Sequence, residues 1–106
     1  MTDDAMWSLV MFDLPVKTKP QRREATGFRK LLLDMGYTMM QLSAYVRYIP
    51  TGALNPSHIA RIKRHLPAGG EVRVFHITDR QWSTAFRFLS AEEKPPEDTP
   101  TQLAFF

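Results

Sequence analysis

The hydrophobic pattern changes period along the chain, and each change marks an element. Residues 6–13, Met-Trp-Ser-Leu-Val-Met-Phe-Asp, are nearly all apolar. Such a run predicts a central strand covered on both faces. Pro15 ends it, because proline has no N–H to give a ladder. From residue 21 the period becomes three and four. Ala25, Phe28, Leu32 and Met35 fall on one stripe, which predicts a helix over 21–35. Pro20 suits the first turn, with Thr18 or Lys19 near the cap, and Gly36 suits the left-handed residue that closes a helix.

Over residues 37–49 the period is two. Met40, Leu42, Ala44, Val46 and Tyr48 alternate with Gln41, Ser43, Tyr45 and Arg47. The first set reads as a core face and the second as a wet, aromatic-polar face. The run is long for one strand, so a bend or bulge near Gln41 is expected, giving two pieces. Residues 57–66 read as a second helix with Ile59, Ile62 and Leu66 inward, and Pro67-Ala-Gly-Gly breaks it. Residues 71–77 read as a strand, followed by a short helical piece capped by Thr78 or Asp79.

The character changes after residue 88. Residues 90–100 hold Pro95, Pro96 and Pro100 with four acids, the composition of a linker or extended arm. The closing Gln-Leu-Ala-Phe-Phe is apolar again, and 101–106 reads as a last strand that docks on another subunit. The order strand, helix, strand, strand, helix, strand predicts an α+β, ferredoxin-like βαββαβ sandwich. That gives a domain over 1–88, then a linker and C-terminal strand over 89–106. Both helices cover one face of an antiparallel sheet. The other face stays partly apolar, which favours a homodimer or a ligand.

Composition removes several chemistries. With 106 residues there is room for one domain. There is no cysteine, so disulfides, thiolate metal sites and cysteine nucleophiles are excluded. No apolar run exceeds four residues, so no membrane partner is expected. The start Met-Thr-Asp-Asp does not resemble a signal peptide, and a soluble cytoplasmic protein is the expectation.

The net charge of +3 hides a polar distribution. Residues 14–66 carry ten Lys and Arg against Glu24 and Asp34, while the flanking segments are acidic. Nine of the fourteen cations are Arg, the better fork for phosphate oxygens. This density suggests a nucleic acid or another polyanion as partner, or else a solvated face on two helices.

Asp13 is the candidate for chemistry. It ends the first strand and precedes a basic loop. One reading makes it a turn residue before Pro15. The other pairs it with its twin across a twofold axis, so that two carboxylates hold Mg²⁺ with waters and a phosphate. His58, His65 and His76 have no metal-ligand spacing. Ser43 and Tyr45 have no adjacent base. An RNA-recognition module shares the strand–helix order, but the third strand here lacks that module's basic-Gly-aromatic pattern.

The chain resembles the CRISPR-associated Cas2 family, the small adaptation subunit. The resemblance rests on Val10-Met11-Phe12-Asp13-Leu14-Pro15 and on the helix carrying Arg22, Arg23, Phe28, Arg29, Lys30 and Leu32. It extends through Gly36-Tyr37, Met40-Gln41-Leu42-Ser43-Ala44-Tyr45 and the terminal Gln102-Leu103-Ala104-Phe105-Phe106. The Phe-Asp-Leu-Pro form looks most like members accompanying Cas9-type systems. The resemblance implies a homodimer flanked by the CRISPR adaptation integrase and holding duplex DNA. It also implies a metal-dependent endonuclease in some members, with the aspartate at position 13 as both catalytic group and Mg²⁺ ligand. Lys17, Lys19, Arg22 and Arg23 fall where the family touches the nucleic-acid backbone. A toxin-like ribonuclease, or an RNA-binding module of this fold working without an integrase, is the alternative.

Overall fold

A computed structural model describes residues 5–97. The first strand, β1 (Met6–Asp13), buries alternate residues on both sides: Val10 and Phe12 on one face, Trp7 on the other. It is followed by α1 (Lys19–Asp34), β2 (Thr38–Gln41), β3 (Ala44–Ile49), α2 (Pro56–Arg64), β4 (Glu71–Thr78) and the short α3 (Asp79–Ser83). β1, β2, β3 and β4 form one sheet in the order β2-β3-β1-β4, with every neighbouring pair antiparallel. This is the ferredoxin-like order, with the central strands contributed by the two halves of the unit.

α1 forms where the stripe predicts. Thr18 caps it by accepting from the Gln21 N–H, and the Gln21 side chain accepts in return from the Thr18 N–H. Ala25, Phe28 and Leu32 are buried against Val10, Phe12 and Tyr45 of the sheet. The Phe12 and Phe28 rings meet edge to face at 5.4 Å. On the opposite side of the sheet, Trp7 stacks on Trp82 of α3 at 4.1 Å, with Val46 beside them.

The expected break near Gln41, giving two strand pieces, is present, and two expectations are corrected. The bend near Gln41 is a full reversal: Leu42 and Ser43 form a tight turn, and β2 folds back on β3 with a bulge between Met39 and Gln41. Tyr45, opposite Val10, lies on the face under the helices, where it is buried against Phe12, rather than on a wet face. A phenol reads as polar in a periodicity count, yet its ring is core material. On α2 only Ile62 is buried; Ile59 and Leu66 are exposed. Nine residues give the helix room for a single anchor on the sheet.

The segment read as a linker begins as structure. β5 (Arg87–Leu89) and β6 (Glu92–Lys94) form a two-stranded hairpin. Ser90 and Ala91 turn it with φ of 53° and 68°. The expected terminal strand over 101–106 lies outside the described residues.

Candidate functional site

β1 delivers Asp13 to the end of the sheet, on the face opposite α1 and α2 and away from the Trp7–Trp82 stack. Two features fix the backbone there. The Phe12 N–H donates to the Ser43 carbonyl at 3.0 Å. Gly70, at the entry to β4, packs so closely that a Cβ there would lie 2.9 Å from the Asp13 carbonyl oxygen and 2.6 Å from Leu14 Cδ2. Glycine is required by this approach.

The register then sets what surrounds the carboxylate. Asp13 stands opposite Glu71, and Met11 stands opposite Arg73. These side chains, with Gln41 and Ser43 of the β2–β3 turn, line a shallow hollow of about 240 Å³. Arg73 pairs with Glu71 at 3.2 Å, and both are largely exposed. Asp13 is exposed, and among the described residues its carboxylate makes no hydrogen bond or ion pair. It therefore does not serve as a side-chain cap for the turn before Pro15.

No group of three or more His, Asp or Glu side chains converges among the described residues. The chain thus offers Asp13 and Glu71, paired across β1 and β4, as two neighbouring oxygen donors. Mg²⁺ is commonly held by one or two carboxylates with waters and substrate phosphate completing the shell. The donor set fits that pattern.

The four cations expected at the nucleic-acid backbone separate into two kinds. Lys17, Lys19 and Arg23 are exposed, on the loop after Asp13 and on the first turns of α1. Arg22 turns back on the loop: its Nη1 donates to the Val16 and Lys17 carbonyls at 3.1 and 3.0 Å. It holds the shape of the segment that presents the lysines.

Two groupings escaped the sequence pattern. Glu71, Arg73 and Gly70 reach Asp13 only through the β1–β4 pairing, although the alternation within β4 carries the signal. The second lies under the helices, where Ser8 pairs with Arg47 of β3 on one side and with His76 of β4 on the other. Ser8 Oγ and Tyr37 Oη are 2.7 Å apart. Arg47 Nη1 donates to His58 Nδ1. Partial burial, then the nearby Arg47 and Arg61 charges, hold His58 below its ordinary pKa. His65 ends α2 with its Nδ1 against the Arg61 carbonyl at 2.8 Å.

Comparison with known proteins decides the family. Residues 6–85 match the family model described as "CRISPR associated protein Cas2". The chain belongs to the Cas2 family. A Cas2 from Paracidovorax avenae is 43% identical over 101 residues, covering 95% of this chain and 94% of the relative. One from Parvibaculum lavamentivorans is 39% identical over 101 residues, covering 95% of this chain and 100% of the relative. Both relatives bear the name CRISPR-associated endoribonuclease Cas2. The crystal structure of Streptococcus pyogenes Cas2 superposes with a TM-score of 0.58 at 17% identity, covering 79% of this chain and 99% of that one. At that identity the likeness is one of Cas2 fold. Among the described residues, no helix is long and apolar enough to cross a membrane.

Proposed function

We propose that this Cas2 chain serves CRISPR adaptation as a homodimer that grips duplex DNA beside the adaptation integrase. We also propose that its Asp13 carboxylates, brought together across the twofold axis, hold Mg²⁺ for phosphodiester hydrolysis. The observation that carries this reading is the exposed Asp13 carboxylate at the hollow on the sheet face opposite α1 and α2, without a partner among the described residues. The same face exposes Met11 and Phe75, apolar surface suited to a second copy. Lys17, Lys19 and Arg23, exposed on the loop and first turns that follow Asp13, are suited to phosphate contacts that position a duplex without reading its sequence.

The chain's residues have distinct tasks. Asp13 supplies a rigidly placed ligand, because β1 and Gly70 fix its backbone. Glu71 adds a second oxygen donor, and Arg73 limits the local negative charge. When bound, Mg²⁺ would activate a water and neutralise charge developing on the phosphate.

A second reading has one observation in its favour, the endoribonuclease name borne by the relatives. On it the substrate is RNA and no integrase is needed. The experiment measures cleavage and binding of duplex DNA and RNA by wild type and Asp13→Asn, with Mg²⁺ and with EDTA. Mg²⁺-dependent cleavage that Asp13→Asn removes, with binding intact, supports the metal site. The nucleic acid that is cut separates the two readings. Binding without cleavage in either protein removes the catalytic half and leaves a scaffold. Cleavage unchanged in Asp13→Asn moves the chemistry away from this residue. Co-purification with the integrase at low salt tests the partnership.

A further inference from the structure

The helix-covered face of the sheet is layered in rows across the strands. Val10 lies between Tyr45 of β3 and Val74 of β4, an apolar row that seats α1 and α2. One pleat away the row is Arg47, Ser8 and His76. These are three polar side chains where the fold's own packing would be served by apolar ones. Tyr37 and His58 close over them, and Asn55 and Pro56 bring the first turn of α2 to the rim. The result is a hollow of about 250 Å³. A water takes about 30 Å³, so there is room for a tetrahedral ion with water beside it.

The hydrogen-bond inventory of this hollow is lopsided. Ser8 and Tyr37 are buried to 1% and 3% exposure, and their hydroxyls share a single hydrogen bond. Two hydroxyl hydrogens enter that pair and one is used; no further hydrogen bond from either hydroxyl is found among the described residues. Arg47 carries five N–H donors, of which one goes to His58 Nδ1. An arginine can only donate, so His58 accepts at Nδ1, and its neutral ring carries a proton on Nε2. Among the described residues no Asp or Glu lines the hollow. Donors and positive charge therefore converge without an acceptor of matching charge. Ser8 and Tyr37 satisfy each other, while Arg47 and His76 are half-buried and keep donors free for an acceptor that enters the hollow.

We infer that Ser8, Arg47 and His76, enclosed by Tyr37 and His58, form a binding site for a phosphate group. Arg47 supplies the charge-assisted hydrogen bonds, the Ser8–Tyr37 pair supplies its remaining hydroxyl proton, and the start of α2 adds favourable dipole potential. The group arrives either as free phosphate or on a nucleic-acid strand. The second source rests on the function proposed above; the site itself does not.

The test uses the full chain and inorganic phosphate. Imidazole NMR signals of His58, His65 and His76 are followed as phosphate replaces chloride at constant ionic strength. The site requires saturable shifts at His58 and His76 with His65 unmoved. Arg47→Gln weakens the apparent affinity by about tenfold or more, as loss of a charged bidentate donor should. Tyr37→Phe, which keeps the ring and the packing, weakens it less. Shifts that never saturate, that are alike at all three histidines, or that survive Arg47→Gln overturn the inference. Duplexes with and without a 5′-phosphate then compete against inorganic phosphate. Displacement by the phosphorylated duplex alone assigns the end of a strand as the source. Displacement by both duplexes assigns the backbone. Duplex binding without displacement assigns free phosphate. Saturable phosphate binding with no duplex binding keeps the site and removes the nucleic-acid reading of this protein.

Discussion

Asp13 of β1 and Glu71 of β4 stand directly opposite each other, two exposed carboxylates on the face of the sheet away from α1 and α2. Like charges in that relation are unfavourable by about 0.2–1 kcal/mol, toward the lower end when exposed. Asp13→Asn should raise stability by a few tenths of a kcal/mol at low salt, on the scale of such pairs, whereas Glu71→Gln also loses the exposed Arg73 pair and should leave stability nearly unchanged. The gain should shrink at high salt as screening shortens the reach of the charges. Urea midpoints at two salt concentrations check this. A loss of stability in Asp13→Asn would mean that the carboxylate has a structural partner. If the proposed metal site is right, Mg²⁺ should reverse the sign and stabilise wild type more than either variant.

Gly70→Ala should be costly for its size. The added methyl meets the Asp13 carbonyl and Leu14 below ordinary contact distance, and one of these atoms is backbone. A loss of about 1–3 kcal/mol is expected for such overpacking. Any Mg²⁺-dependent cleavage should fall with it, because Asp13 must shift. Gly27→Ala is the control: among the described residues nothing lies near its Cβ position. It should stabilise α1 by about 0.5–1 kcal/mol.

The cations after Asp13 should differ in kind. Replacing Lys17, Lys19 or Arg23 by Gln should weaken duplex binding across all sequences. Each of these replacements should lower the salt slope by about one, the share of a single phosphate neutralised. Arg22→Gln should instead loosen the loop, seen as faster amide exchange at residues 16–18, since its guanidinium is spent on the carbonyls of Val16 and Lys17. An equal slope change in all four would contradict this division.

His58 gives a pH dependence of defined sign. Its folded pKa lies below the ordinary value of 6.5, so the unfolded chain takes up the proton first. The contribution is fully present above pH 6.5 and is lost as pH falls through the folded value. Protonation would set a third positive charge beside Arg47 and Arg61 and remove the acceptor at Nδ1. Denaturant midpoints between pH 7.5 and about 5.5 should fall more steeply in wild type than in His58→Gln. Equal slopes would remove His58 as a cause.

Ala91→Gly should tighten the β5–β6 hairpin. Ser90 and Ala91 both adopt positive φ, the conformation that favours Asn and Gly in two-residue turns. Relieving one such residue is worth about 1–2 kcal/mol locally. Slower amide exchange across residues 87–94, with the main sheet unchanged, is the expected result.

Much of the fold was legible because local signals agreed with one another. The α1 stripe, the cap at Thr18, the apolar run of β1 and the break at Pro67 each pointed to the element that forms. What was hidden depended on pairing between distant strands. Tyr45 was hidden because both faces of β3 are covered, one by α1 and the other by Trp7 and Trp82, so an alternation count does not say which face is core. Asp13 stood out as the acid ending an apolar strand. Its neighbours Glu71 and Arg73 did not, because only the β1–β4 register brings them there. The row of Arg47, Ser8 and His76 draws one residue from each of three strands, so no window of sequence contains it.

The Gly69-Gly70 turn reads in sequence as a helix breaker, yet its second residue rests directly on the backbone of Asp13. The connection from α2 to β4 thus works as a gauge for the end of β1. Residues added or removed between 65 and 70 would be felt fifty-odd positions upstream in the chain, at the carboxylate, before they were felt anywhere else. Among natural variants of this protein the connection should be conservative in length even where its residues drift.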